Sequence, residues 1–264
     1  MSTREDYAGQ TVFVAGGSSG INLGIAQAFA RQGARVAIAS RSRERVDAAV
    51  AGLRALGAQA LGFSADVRDP EAIGAALAAA HADFGAIDVL VSGAAGNFVA
   101  PALGMSPNGF RTVVDIDLNG TFNVLRLAHT FLRKPGACIL NISAPQSFNP
   151  TLYQAHVCAA KAGVDMLTRV LAMEWGPDGV RVNSIVPGPI GDTEGVQRLA
   201  PTPEAKQAMV DTVPLRRFGR IEEIADMALF LASTRAQFVT GAVIPVDGGS
   251  SLPGGRDVGA GLTA

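Results

Sequence analysis

The chain is short of charge, nearly free of cysteine, and has no long apolar run. Only 17% of its 264 residues are charged, against about 25% in an average globular chain. The charges balance to a formal −1, which gives no electrostatic footprint for nucleic acid, so no nucleic-acid partner is expected. No apolar run approaches the ~18 residues of a membrane span, so no membrane partner is expected either. The opening MSTREDYAGQ is polar and acidic and does not read as a signal peptide. The two cysteines, Cys138 and Cys158, cannot build a disulfide framework and lack metal-ligand spacing. They read as small apolar residues in a reducing compartment, and no metal is expected. What is plentiful is apolar: 48% of the chain is hydrophobic. Such a chain can fill a large core and is expected to cover further surface by self-association.

Short β-branched runs alternate with alanine-rich helical stretches. Residues 11–15 read as a strand, 21–33 as a helix ending at Gly33, 35–40 as a second strand and 43–57 as a second helix. Further strands are read at 58–66 and 87–93, with a helix at 70–85 between them. A long helical stretch near 107–133 leads to a strand at 137–143, and a helix follows YQAHVCAAK to about Trp175. The last strands are 180–188 and 241–249. Strands this apolar, separated by helices, predict an α/β fold: one doubly wound, Rossmann-type parallel sheet covered on both faces. No linker interrupts the pattern, so residues 1–264 form a single predicted domain. Residues 191–215, rich in Gly, Pro and Thr with weak periodicity, are a candidate lid over a site at the carboxyl ends of the strands. The Gly-rich tail SLPGGRDVGAGLTA reads as loosely held.

The first strand runs directly into AGGSSGINLG. Gly16, Gly17, Ser18, Ser19, Gly20 and Ile21 therefore form a candidate dinucleotide-binding turn. Gly16 can turn the chain tightly, and Gly20 lets backbone approach a pyrophosphate at a helix N-terminus. The alternative is a tight strand–helix turn without a ligand. At the end of the second strand, where an acid would bind the ribose 2′-OH of NAD, stand Ser40 and Arg41. Arg41 can pair with a 2′-phosphate through its planar fork, which favours NADP(H). Arg43 and Arg45 read as a solvated helix face. Asp66, with Val67 beside it, is placed for the adenine. Pro187, Gly188 and Ile190, with Thr193 just beyond, are placed to shape the nicotinamide pocket.

Together these features resemble the short-chain dehydrogenase/reductase superfamily over nearly the whole chain, through GGSSGI, ADV, Lys161, RVNSIVPGPI and VTGAVIPVDGG. Two departures lie near the turn: Asn22 replaces the usual last Gly, and Ala15 a common Thr. Larger ones are catalytic. The superfamily usually works with an Asn, Ser, Tyr and Lys. Here the Lys position is Lys161, but the Tyr position is Val157, the Ser position Ala144 and the Asn position Asp117. One branch, the peroxisomal-type 2,4-dienoyl-CoA reductases, shares this set. It is also similar in SADVRDP, AAGNF, DIDLNGTFNV, His156, AMEWGP and PGPIGDTEG.

That resemblance implies NADPH-dependent reduction of a dienoyl thioester to a 3-enoyl-CoA, with hydride to the δ carbon and a proton to the α carbon. The product is not an alcohol, so a water can supply the proton. Lys161 is expected to hold the nicotinamide ribose. Asp117 is expected to be ionised and to orient Lys161 and a water. His156 is a second candidate acid, against a reading as a packed neighbour. Tyr153 is expected to line the entrance, and Asn141 and Ser143 to hold backbone or a water. The family's substrate-contact positions fall on Arg41, Arg68, Phe98, Ser106, Asn108 and Arg198, with Pro107 implying a change of loop shape. The expected substrate is a fatty acyl-CoA, and the expected assembly a homotetramer. Two other readings stay open: a reductase of another enoyl or carbonyl compound, and an NADP-binding scaffold without turnover. The C-terminal LTA is not a peroxisomal tripeptide, so a cytoplasmic location is expected.

Overall fold

A computed structural model of the chain describes residues 7–252. Its seven strands are β1 (Thr11–Ala15), β2 (Arg35–Ser40), β3 (Ala60–Ser64), β4 (Val89–Ser92), β5 (Cys138–Ile142), β6 (Arg181–Pro187) and β7 (Val243–Val246). They form one parallel sheet in the order β3-β2-β1-β4-β5-β6-β7. Strands β1 and β2 are almost wholly buried, as their unbroken apolar runs require of a sheet covered on both faces. Along β1, Val12 and Val14 point into one core and Phe13 and Ala15 into the other.

The helices cover both cores. Helices α1 (Gly20–Arg31) and α2 (Arg43–Ala55) pack on one face, and α3 (Pro70–Phe84) on the other. Helices α4 (Pro107–Val114), α5 (Gly120–Ala128) and α6 (Ala155–Trp175) follow, of which α5 and α6 line the α3 core. Two short helices, α7 (Glu194–Leu199) and α8 (Pro203–Asp211), precede α9 (Ile221–Ala232), which returns to the α1 side and packs on α1. The chain leaves β1 in opposite directions toward β2 and β4. That reversal opens a crevice at the carboxyl ends of the strands, where ligands of open α/β sheets sit.

Four sequence expectations change. The stretch 107–133 is not one helix: a wide π-helical turn at Asp115–Asn119 separates α4 from α5, and a 3₁₀ turn at His129–Phe131 ends it. Such a turn carries an extra residue, which shifts the helix face, and it leaves Asp117 buried. The expected lid contains α7 and α8, capped by the hydroxyls of Thr193 and Thr202. The first helix stops at Arg31, and Gly33 follows with φ +86°. The third and seventh strands are shorter than the apolar runs that announce them. The Gly-rich tail beyond Leu252 lies outside the described residues.

Candidate active site

The crevice is a cleft of about 810 Å³, walled by the β1–α1 loop, the ends of β2 and β3, the loop after β4, and α7. Its floor is built for close approach. Gly16 has φ +81°, and a Cβ there would lie 2.7 Å from the Ala94 backbone nitrogen. A Cβ on Gly17 would lie 2.9 Å from the Val14 carbonyl oxygen. Gly20, at φ +55°, faces open space at the first turn of α1. Ser19 at the N-cap makes no side-chain bond to the helix, so the N–H groups of that turn are left to a ligand. This cradle fits the pyrophosphate of a dinucleotide. Asn22, which departs from the usual glycine, is a strut: its amide donates to the carbonyls of Gly93 (2.7 Å) and Gly16 (3.3 Å), joining the loop to the end of β4.

At the far end, Ser18 donates to Ser40 (2.9 Å), and Arg41 lines the wall beside them. Arg43 pairs with Asp47 on an exposed helix face, as its spacing suggests. Arg45 does not stay on that face. It lines the cleft and reaches Glu194 of α7 at 3.3 Å. Glu194 also holds Arg198 (2.9 Å), which donates to the Asn97 carbonyl (3.3 Å). Asp66 and Val67 line the cleft, and Asn123 holds the Val67 carbonyl (3.0 Å). Arg68 folds back on Asp66 in a two-pronged pair, 2.6 Å at the shorter contact. That guanidinium holds the Asp66 carboxyl below its ordinary value.

Other expected contacts are not among the residues that line this cleft. Ser106 caps α4 by accepting from the Gly109 N–H (3.0 Å), and the Asn108 carbonyl accepts from Thr112 (2.8 Å). Pro107 opens α4 at the position where a missing N–H costs nothing. Gly188 packs so closely that a Cβ would lie 2.5 Å from Cα of Asp247, and its N–H donates to Val246 at 3.1 Å. Ile190 lines a separate cavity of about 270 Å³, and Thr193 donates to the Ile190 carbonyl (2.8 Å). Pro187 is the last residue of β6.

Two of the catalytic candidates, Lys161 and Asp117, meet behind the cleft. Lys161, on the second turn of α6, is buried, donates to the Ile142 carbonyl (3.0 Å), and stands 3.3 Å from Asp117 Oδ2. Asp117 Oδ1 accepts the Gly96 N–H (2.7 Å), while Oδ2 has no hydrogen bond. Val157 and Ala144 bring no polar side chain. His156 is fully buried, with Phe98 tilted over its ring at 4.2 Å and no partner of hydrogen-bonding geometry on either nitrogen. Burial pushes its pKa down, against a weaker opposing pull from the Phe98 backbone and the Asp117 charge. The Ser143 hydroxyl is also buried and unpartnered, and Asn141 donates to Thr168 (2.9 Å). Tyr153 lies outside α6, exposed, at φ +64°.

Sequence reading missed Gln154, which donates to Asn97 Oδ1 (2.9 Å) and to the Phe98 carbonyl (3.3 Å), tying the loop after β4 to the start of α6. It also missed Glu194 and Asn123. These residues act across separate loops, so no linear spacing marks them.

The family profile described as enoyl-(acyl carrier protein) reductase matches residues 15–251. The chain is 47% identical over 251 residues to a peroxisomal 2,4-dienoyl-CoA reductase [(3E)-enoyl-CoA-producing] of Pongo abelii, covering 94% of this chain and 86% of that one. It is 46% identical to the protein of the same name in Rattus norvegicus, covering 95% and 86%. A crystal structure of a short chain dehydrogenase from Bacillus anthracis superposes with TM-score 0.83 at 36% identity, covering 94% of this chain and 99% of that one. With this sheet, this glycine turn and these relatives, the chain belongs to the short-chain dehydrogenase/reductase family and is an enzyme of the nicotinamide-dependent type.

Proposed function

We propose that the protein uses NADPH to reduce 2,4-dienoyl-CoA thioesters to 3-enoyl-CoA. One observation carries this reading: Lys161 is kept and paired with a buried carboxylate at Asp117, while Val157 and Ala144 leave no hydroxyl to reduce a simple carbonyl. The name shared by the mammalian relatives supports it.

When bound, the nicotinamide supplies a hydride, which this reading sends to the δ carbon of the diene. The chain's residues do the rest. The glycine turn and the first turn of α1 hold the pyrophosphate, and Ser40 and Arg41 receive the 2′-phosphate. Asp66 and Val67 bound the adenine, and Lys161 holds the nicotinamide ribose. Pro187, Gly188, Ile190 and Thr193 frame the nicotinamide. Asp117, ionised beside Lys161, orients that ammonium and a water; the water gives a proton to the α carbon of the dienolate, and a proton from solvent neutralises the hydroxide left behind. Asp117 Oδ2, which faces Lys161 at 3.3 Å but makes no hydrogen bond, is where such a water would be held.

The acyl-CoA is met by Phe98 and Arg198, with Arg68, Ser106 and Asn108 further out. Lid closure over residues 191–215 would engage Arg198. On this reading the protein works in the cytoplasm, although the relatives that share the name are called peroxisomal, and it acts as a homotetramer.

Incubating the purified protein with NADPH and 2,4-hexadienoyl-CoA should consume both chromophores, faster with NADPH than with NADH. No oxidation of NADPH would reject the reading. Binding of NADPH without turnover on a panel of enoyl and carbonyl substrates would favour a cofactor-binding scaffold.

A further inference from the structure

We propose that His156 is the hydrogen-bond donor to the thioester oxygen of the substrate, a neutral imidazole that stabilises the dienolate without giving up its proton. The proposal rests on the dienoyl-CoA reading above and assigns a task which that reading leaves open. When hydride reaches the δ carbon, an electron pair moves through the diene and negative charge gathers on the thioester oxygen. Protonation at the α carbon then returns that pair to carbon. An enzyme speeds such a step by aiming fixed donors at the atom where charge develops. The hydroxyls that usually do this in the family are absent at Val157 and Ala144.

Few donors remain near Asp117 and Lys161. Lys161 faces the Ile142 carbonyl and Asp117. The Gln154 amide is spent on Asn97 and Phe98, and the Asn141 amide on Thr168. His156 is the exception. It is 0% exposed, and neither ring nitrogen meets a partner with full hydrogen-bonding geometry, although the Phe98 backbone lies close enough to pull on the ring. A neutral imidazole carries one N–H and one bare nitrogen, and leaving either without a well-formed hydrogen bond away from water is costly. Buried polar groups left this way call for a ligand. The surroundings fit. Phe98, which covers the imidazole, belongs to the same loop as Gly96, whose N–H binds Asp117. Displacing the half-exposed Phe98 ring would open the imidazole to an acyl thioester lying between the loop and α6.

Burial holds His156 below its ordinary pKa, which favours the neutral ring: there is no imidazolium proton to transfer, but one N–H remains to share. This separates two tasks: His156 polarises the oxygen, and the Asp117–Lys161 pair with its water protonates carbon. The rival donors are Ser143 and Ser147, whose hydroxyls are also buried and unpartnered.

The test uses the full-length enzyme with NADP⁺ and 2,4-hexadienoyl-CoA, a complex that cannot turn over. Polarisation of the carbonyl should shift the absorption of the bound dienoyl group to longer wavelength. His156→Phe should abolish the shift and lower kcat by about 10²-fold, the cost of removing one such donor, with the KM for NADPH little changed. His156→Gln, which restores an N–H, should recover part of both and guards against a Phe variant that fails to fold. A Phe variant that keeps the shift and keeps kcat within about twofold of the original overturns the proposal. So does a Ser143→Ala or a Ser147→Ala variant that loses the shift. Failure of the unaltered enzyme to reduce hexadienoyl-CoA overturns the dienoyl reading itself, and is seen before any variant is made.

Discussion

A valine at residue 157 withdraws the proton donor that a carbonyl reductase needs, and a carboxylate at residue 117 changes what Lys161 faces. The pair is buried, with 3.3 Å between the partners and the Gly96 N–H on the other carboxylate oxygen. Asp117→Asn keeps the shape and can keep the Gly96 contact, but it removes the charge. Its kcat for dienoyl reduction is expected to fall by about 10²-fold or more at saturating NADPH. The melting temperature should also drop, because a buried ammonium loses its counter-charge. Retention of most of the turnover would make Asp117 a brace. At this scale much was legible in sequence, because Asp117, Ala144 and Val157 are found by counting along the chain against Lys161. The isolation of His156 was not legible. It depends on what folding fails to bring near the ring, and no spacing records that. The Arg68–Asp66 pair was hidden for a related reason: each residue had a plausible ligand role, and only folding shows that they hold each other.

Elements are harder to read where a helix departs from its period. Ser106 and Pro107 announce the start of α4, but nothing in DIDLN marks the extra residue of the wide turn. The turn is fitted to its neighbours rather than coded by propensity. Gly120 shows the fit: a Cβ there would lie 2.5 Å from Cγ2 of Val67 and 2.9 Å from its Cβ. The conformation of Gly120 is ordinary helix, at φ −62°, so space and not backbone freedom requires the glycine. Val67 cannot swing away cheaply, because it is short and its carbonyl is held by Asn123. Gly120→Ala should therefore cost about 1–3 kcal/mol by overpacking, although alanine favours a helix. It should also weaken NADPH binding, because Val67 lines the cleft. Thermal denaturation and a fluorescence titration with NADPH would check both. An alanine variant that melts higher and binds unchanged would show that the Val67 contact relaxes freely. The lid elements were hidden differently. Helix α8 has no buried residue and α7 only Val196, so neither stamps a strong apolar period on the sequence.

For the whole molecule, the scarcity of charge noted in the composition is matched by apolar surface in two places. On α6, Met166, Val170 and Met173 are exposed at spacings of four and three, which puts them on one face, and Phe122 is exposed on α5. On the other side, β7 ends the sheet with no further strand beside it among the described residues, and Phe230 and Phe238 are exposed near it in sequence. A single self-complementary face makes a twofold dimer. Two independent faces, each closing on itself about its own axis, make a tetramer with dihedral symmetry. Patches of this kind on a monomer are association sites or aggregation hazards. Light scattering after size exclusion should therefore give a mass about four times the 27.1 kDa of the chain. Met166→Glu combined with Met173→Glu places like charges across the α6 twofold and should reduce the particle to a dimer held by the β7 side. A monomer at micromolar concentration for the unaltered protein would refute the two-face argument. A tetramer that survives the double substitution would move the first interface off α6.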